Sequence, residues 1–125
     1  MRVRRLDHFG VDVADLGRAE EFYTTVLGMT VERRLPDQVS LRYGDGVCVL
    51  FRKPDRVPGS PEQVRQPLGT SHHCFEVDHD ELARAERLFA ARGIPFHAPI
   101  DWGDHDCLYF LDPDGNLLEL VGYRR

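Results

Sequence analysis

Cysteine is scarce: Cys48, Cys74 and Cys107 are scattered, odd in number and never form a C-x-x-C pair. A disulfide framework is therefore excluded and a zinc knuckle disfavoured. Buried free thiols of a cytoplasmic protein are expected instead. Basic charge is also short, with 16 Lys and Arg against 21 Asp and Glu and a net charge of −5. A chain with no basic footprint is not expected to bind nucleic acid. No apolar run approaches the roughly 18 residues of a membrane span, so no membrane partner is expected. The opening Met1-Arg2-Val3-Arg4-Arg5-Leu6-Asp7 turns polar before a signal-peptide core could form. What remains is a 125-residue chain, 42% hydrophobic, large enough for one real core.

Proline is unevenly spread. Pro54, Pro58, Pro61 and Pro67 fall between Phe51 and Ser71, a stretch with neither hydrophobic period that reads as a loop. The two sides of this seam carry the same signals in the same order, which points to an internal duplication. On the first side, Phe9, Val11 and Val13 alternate with polar or small residues as in a half-buried strand. Asp15 can cap a helix whose apolar face is Leu16, Ala19, Phe22, Tyr23, Val26 and Leu27, with Gly28 past its end. Strands at Met29–Arg34, Val39–Tyr43 and Val47–Phe51 follow, the last two turned at Gly44-Asp45-Gly46. On the second side, a strand at His72–Val77 precedes a helix with Leu82, Ala85, Leu88 and Phe89 on one face and Gly93 past its end. A short strand at Ile94–His97 comes next. The hairpin Leu108–Leu111 and Leu117–Val121 turns at Asp112-Pro113-Asp114-Gly115-Asn116.

The expected fold is therefore α+β, built from two tandem β-α-β-β-β modules forming a curved, antiparallel-rich sheet around a cavity. A single domain would cover 1–125, with module 1 at 4–53, a linker at 54–70 and module 2 at 71–125. Strand parity says which side chains face that cavity. Phe9, Val11 and Val13 pack under a helix, so His8, Gly10 and Asp12 face inward. Phe75 and Val77 likewise leave His72, Cys74 and Glu76 inward and put His73 on the helix side. Leu118 and Leu120 leave Leu117, Glu119 and Val121 inward. Two imidazoles and one carboxylate thus converge from three strands, a donor set suited to a first-row divalent ion with open positions. Glu119 is the most informative of the three, because a carboxylate among Leu117, Leu118, Leu120 and Val121 is rarely buried without a partner.

The segments Asp7–Leu16, Phe22–Met29, Ser71–Val77 and Tyr109–Leu120 resemble, in order, the vicinal oxygen chelate superfamily of glyoxalases, extradiol dioxygenases and fosfomycin- and bleomycin-resistance proteins. The resemblance implies a metal-binding cavity in which His8, His72 and Glu119 hold one divalent ion per site (Fe2+, Mn2+, Zn2+ or Ni2+). That ion would chelate a small-molecule substrate through neighbouring oxygens. A homodimer is expected because each module has an open sheet face and unpaired edge strands, and members of the family it resembles build the site either within one chain or from modules of two. Glyoxalase I-like sites add a fourth ligand in the first half, where this chain has Leu50 or Phe51. Fosfomycin thiol transferases have cationic side chains in a loop that is acidic here, Asp101–Cys107. Extradiol dioxygenases share the His-His-Glu set and a Tyr ten residues before the Glu, as Tyr109 stands before Glu119. His97 or His105 could replace their additional histidine. Tyr109 is a candidate acid or hydrogen-bond donor, and His105, expected in a loop at the cavity mouth, a candidate proton shuttle. Cys74 could touch metal or substrate. Asp12 and Glu76 could orient ligands, and Trp102 and Phe51 could stack on a substrate. The rival class is a non-catalytic drug-binding protein of the bleomycin-resistance kind, which usually lacks the ligands.

Overall fold

A computed structural model describes residues 1–125. The elements run β1 (Phe9–Val13), α1 (Leu16–Thr25), β2 (Thr30–Leu35), β3 (Gln38–Tyr43), β4 (Gly46–Arg52), a 3-10 turn (Pro61–Val64), β5 (His73–Glu76), α2 (Glu81–Arg92), β6 (Ile100–Asp101), β7 (His105–Leu111) and β8 (Leu117–Tyr123). The β-α-β-β-β order therefore occurs twice. The ladders form two four-stranded sheets, ordered β1-β4-β3-β2 and β5-β8-β7-β6. In each, the first strand of the unit runs parallel to the last and the remaining pairs are antiparallel.

The first compact unit is Met1–Val57. Its helix starts where the Asp15 carboxylate accepts from the Arg18 backbone N–H at 2.9 Å, satisfying one of the helix's orphan donors. Ala19, Phe22 and Tyr23 are its buried residues, and it packs on β2, β3 and β4. Phe9, Val11, Val13, Leu41, Cys48 and Leu50 are buried in this unit. β2 is a largely exposed edge broken by a register shift between Val31 and Arg33, which discourages strand addition.

The second unit is Pro58–Arg125. Residues 58–70, expected as a linker, thus fold with the second sheet, and they contain the 3-10 turn. α2 packs on β7 and β8, with Phe89 stacked on Phe110 at 4.5 Å between ring centroids. The Asp112 Oδ1 accepts from the N–H groups of Asp114 (2.9 Å) and Asn116 (2.8 Å), closing the β7–β8 turn that the sequence marks. Gly115 takes φ +77° there, a conformation that favours glycine.

Two expectations need correction. Ile94–His97 is not a strand. Pro95 and Pro99 lack the N–H that a ladder needs, so this stretch makes only a bridge between Phe96 and Phe110, and pairing resumes at Ile100. His105 is not in a mouth loop. It opens β7 opposite Tyr123, because β7 and β8 each extend beyond the apolar run that announced them.

Candidate functional site

The β5-β8-β7 ladder fixes the candidate site. Residues directly opposite in neighbouring strands share a sheet face. Glu119 in β8 lies between Cys74 of β5 and Tyr109 of β7. Leu117, Leu111, Cys107 and His105 lie on the same face, while Leu118, Leu120, Leu108 and Phe110 take the other. The parity expected of Glu119, Cys74 and His72 is the one found. Tyr109 lies on the same face, directly opposite Glu119.

Glu119 is only 9% exposed. His72, one residue before β5, places its Nε2 2.8 Å from the Glu119 Oε1. Its Nδ1 lies 2.6 Å from the Thr70 carbonyl oxygen. A carbonyl can only accept, so Nδ1 carries the proton. In the neutral ring Nε2 is then a lone pair, and it faces a carboxylate. At that distance a proton can lie between them, and a cation could sit to one side, held by both as adjacent ligands. Tyr109 stands edge-on to the His72 ring, 5.2 Å between centroids.

Other groups around Glu119 are held protonated. Partial burial, then the Glu119 charge, push the Cys74 thiol up to about 12. Burial first and Glu119 second also push the Tyr109 hydroxyl up to about 12. Burial lifts the Cys107 thiol to about 11, although the Trp102 indole N–H, 3.3 Å from its sulfur, pulls the other way. At neutral pH all three are donors beside a carboxylate, and neither thiol is activated by a lowered pKa. Next to them His73, on the opposite face, is kept below its usual pKa by burial and by His72.

His8 occupies in the first unit the place His72 occupies in the second, one residue before the opening strand. It is exposed, with its Nδ1 2.8 Å from the Asp7 carboxylate. By register, Gly10 opposes Val49 as Cys74 opposes Glu119. The first-half counterpart of Glu119 is therefore Val49. Leu50 opposes Val11 and is fully buried on the core face. Phe51 lies across Gly10 closely enough that a Cβ there would stand 2.6 Å from its ring. None of these can ligate, so unit 1 offers no carboxylate at this place. Within neither unit do three His, Cys, Asp or Glu close into a metal cage.

The remaining candidates lie elsewhere. His105 is bound to Asp104 at 2.6 Å and stacked on Trp102. It shares the Glu119 face but sits two register pairs beyond Tyr109, roughly 13 Å along the strand. His97 turns its Nδ1 to the Ala98 carbonyl, 2.6 Å away. Glu76 pairs with Arg125 at 3.1 Å. Asp12 is exposed in β1. The sequence reading missed Thr70 and Cys107. Extending the Tyr109 parity by one pair would have found Cys107, but nothing local announces the Thr70 carbonyl.

Nitrogen and oxygen donors set face to face fit a first-row divalent ion, and known proteins with this architecture bear on that reading. The family model described as the Glyoxalase/Bleomycin resistance protein/Dioxygenase superfamily matches residues 5–120. Glyoxalase domain-containing protein RDO1 of Mycosarcoma maydis is 30% identical over 129 residues, covering 99% of this chain and 71% of that protein. Metapyrocatechase 2 of Cupriavidus necator is 30% identical over 119 residues, covering 94% of this chain. The match spans 33% of that relative's length. Among solved structures, the fosfomycin resistance protein FosX of Listeria monocytogenes superimposes with a TM-score of 0.81 at 16% identity, covering 98% of this chain and 96% of that one, and so shows the shared fold. With a duplicated β-α-β-β-β order, a buried Glu on the last strand and a match over nearly its whole length, the chain belongs to the Glyoxalase/Bleomycin resistance protein/Dioxygenase superfamily.

Proposed function

We propose that the protein is a divalent-metal-dependent enzyme acting on a small molecule that presents two neighbouring oxygens, with His8, His72 and Glu119 as the ligands. The observation that carries this reading is the His72–Glu119 pair, an imidazole nitrogen 2.8 Å from a buried carboxylate oxygen with the other ring nitrogen turned to the Thr70 carbonyl. A bound ion would supply Lewis acidity, or dioxygen activation if it is Fe(II). The chain's own residues do the rest. Thr70 fixes the imidazole tautomer, which is how a group behind a ligand tunes it. Tyr109, held protonated, can donate to a developing negative charge. Cys74 lines the exposed side of Glu119.

Val49 at the place of a fourth ligand favours ring-opening or other three-ligand chemistry over a glyoxalase I reaction, as does the similarity to a metapyrocatechase. Three free thiols fit a reducing, cytoplasmic setting. A homodimer completes the proposal.

Anaerobic calorimetric titration with Fe(II), Mn(II), Ni(II) and Zn(II) tests it. One ion should bind per chain, and Glu119→Gln should abolish the heat. If wild type and Glu119→Gln bind equally, or neither binds, His72 and Glu119 share only a proton and the drug-binding reading takes over. Oxygen uptake with a panel of catechols then separates dioxygenase from lyase chemistry.

A further inference from the structure

The segment before β5 is fastened in a way that a linker would not need. The Gly59 N–H donates to the Asp114 carbonyl at 2.8 Å, and the Gln63 side-chain amide donates to the Gly115 carbonyl. The two backbones meet glycine to glycine. A Cβ on Gly59 would stand 2.4 Å from the Gly115 oxygen, and one on Gly115 would stand 2.5 Å from the Gly59 nitrogen. Past this latch, Ser60 caps the 3-10 turn by accepting from the Glu62 N–H at 3.2 Å. Val64, 6% exposed, then packs among Cys107, Tyr109, Leu111 and Leu117. Those four share the face of Glu119. Val64 thus covers the β7 half of that face, while Cys74 on the β5 side stays exposed. Downstream, Gly69 has φ +86° with nothing near a would-be Cβ. Thr70, which orients His72, comes next.

We propose that Pro58–Val64 is a hinged strap that gates the Glu119 face. It is latched at Gly59–Gly115 and turns about Gly69. Opening uncovers Tyr109 and shifts the Thr70 carbonyl that holds His72. Two prolines, Pro58 and Pro61, stiffen the strap, so it moves as a piece. Its hold on the sheet includes Val64, two hydrogen bonds and the buried Pro67 before the hinge, and short segments of this kind open locally before the molecule unfolds. What the gate serves rests on the proposed function; its motion does not.

The three thiols report on it without metal or substrate. Cys74 is exposed, Cys107 is buried beside the strap, and Cys48 is buried in the first unit. Labelling with a small thiol reagent, read site by site by mass spectrometry, should modify Cys74 first. In a urea series below the unfolding transition, Cys107 should follow well ahead of Cys48, with a shallow dependence on urea because little surface opens. Gly59→Ala should speed Cys107 at least tenfold and leave Cys48 unchanged. If Gly59→Ala fails to fold, the wild-type urea series decides alone. Cys107 and Cys48 reacting together with one steep urea dependence would overturn the strap, as would a folded Gly59→Ala protein with an unchanged Cys107 rate. Failure to bind metal would leave these rates untouched, so the two readings fail separately.

Discussion

His72 and His73 are adjacent, yet the sheet sends them to opposite faces, and this gives a sharp test. His72→Leu removes the lone pair that faces Glu119 and should abolish metal binding. His73→Leu removes a half-buried neutral ring on the other face and should leave affinity within a few-fold. The reverse outcome in a metal titration would mean that β5 carries the wrong parity. Tyr109→Phe deletes a donor beside Glu119 without opening a cavity. Losing such a partner behind a ligand typically costs about 10–100-fold in metal affinity. A smaller change on titration would confine Tyr109 to packing.

Among the elements, the second sheet and its helix hold the candidate site in place. Phe110 is fully buried and stacked on Phe89, so Phe110→Ala should cost about 3–5 kcal/mol in a denaturant melt. At the far end of β7, Asp106 binds His79 at 2.5 Å, and both its carboxylate oxygens accept from the Arg124 Nη2 at 2.7 Å. The bond from His79, then those from Arg124, hold its carboxyl below the ordinary carboxylate value despite the cost of burial. A depressed folded pKa contributes stability that is complete above the unfolded value of about 3.9 and is lost as pH falls through the folded one. Asp106→Asn should therefore melt lower than wild type at pH 6, with the gap closing below pH ~4. A gap that is the same at pH 6 and pH 3 would contradict that assignment. The elements legible in the sequence are those whose signals are local. Asp15 announces the α1 cap, Asp112-Pro113-Asp114-Gly115 the last turn, and the alternation around Glu119 its face. The strap was not legible, because Val64 has partners 43 or more residues away in β7 and β8 and no periodic neighbours. Nor was the true extent of β7 and β8, since the polar ends of those strands carry no hydrophobic alternation.

For the whole molecule, each sheet has two edge strands, β1 and β2 in one and β5 and β6 in the other, and such edges are hazards until covered. We expect a homodimer, and sedimentation at micromolar concentration should show one. A monomer there would remove the expectation. If the modules exchange between chains, co-refolding His8→Ala with Glu119→Ala should restore metal to about half the sites of the heterodimers, since one site is then intact and the other doubly damaged. If each site lies within one chain, none recovers. The central claim is that His8, His72 and Glu119 hold one divalent ion. Its most direct test is elemental analysis of protein purified without added metal, then loaded and desalted, beside a His8→Ala, His72→Ala double variant of equal thermal stability. One first-row ion per wild-type chain and none in the double variant is the predicted result. Equal metal in both, or none in either, would contradict it.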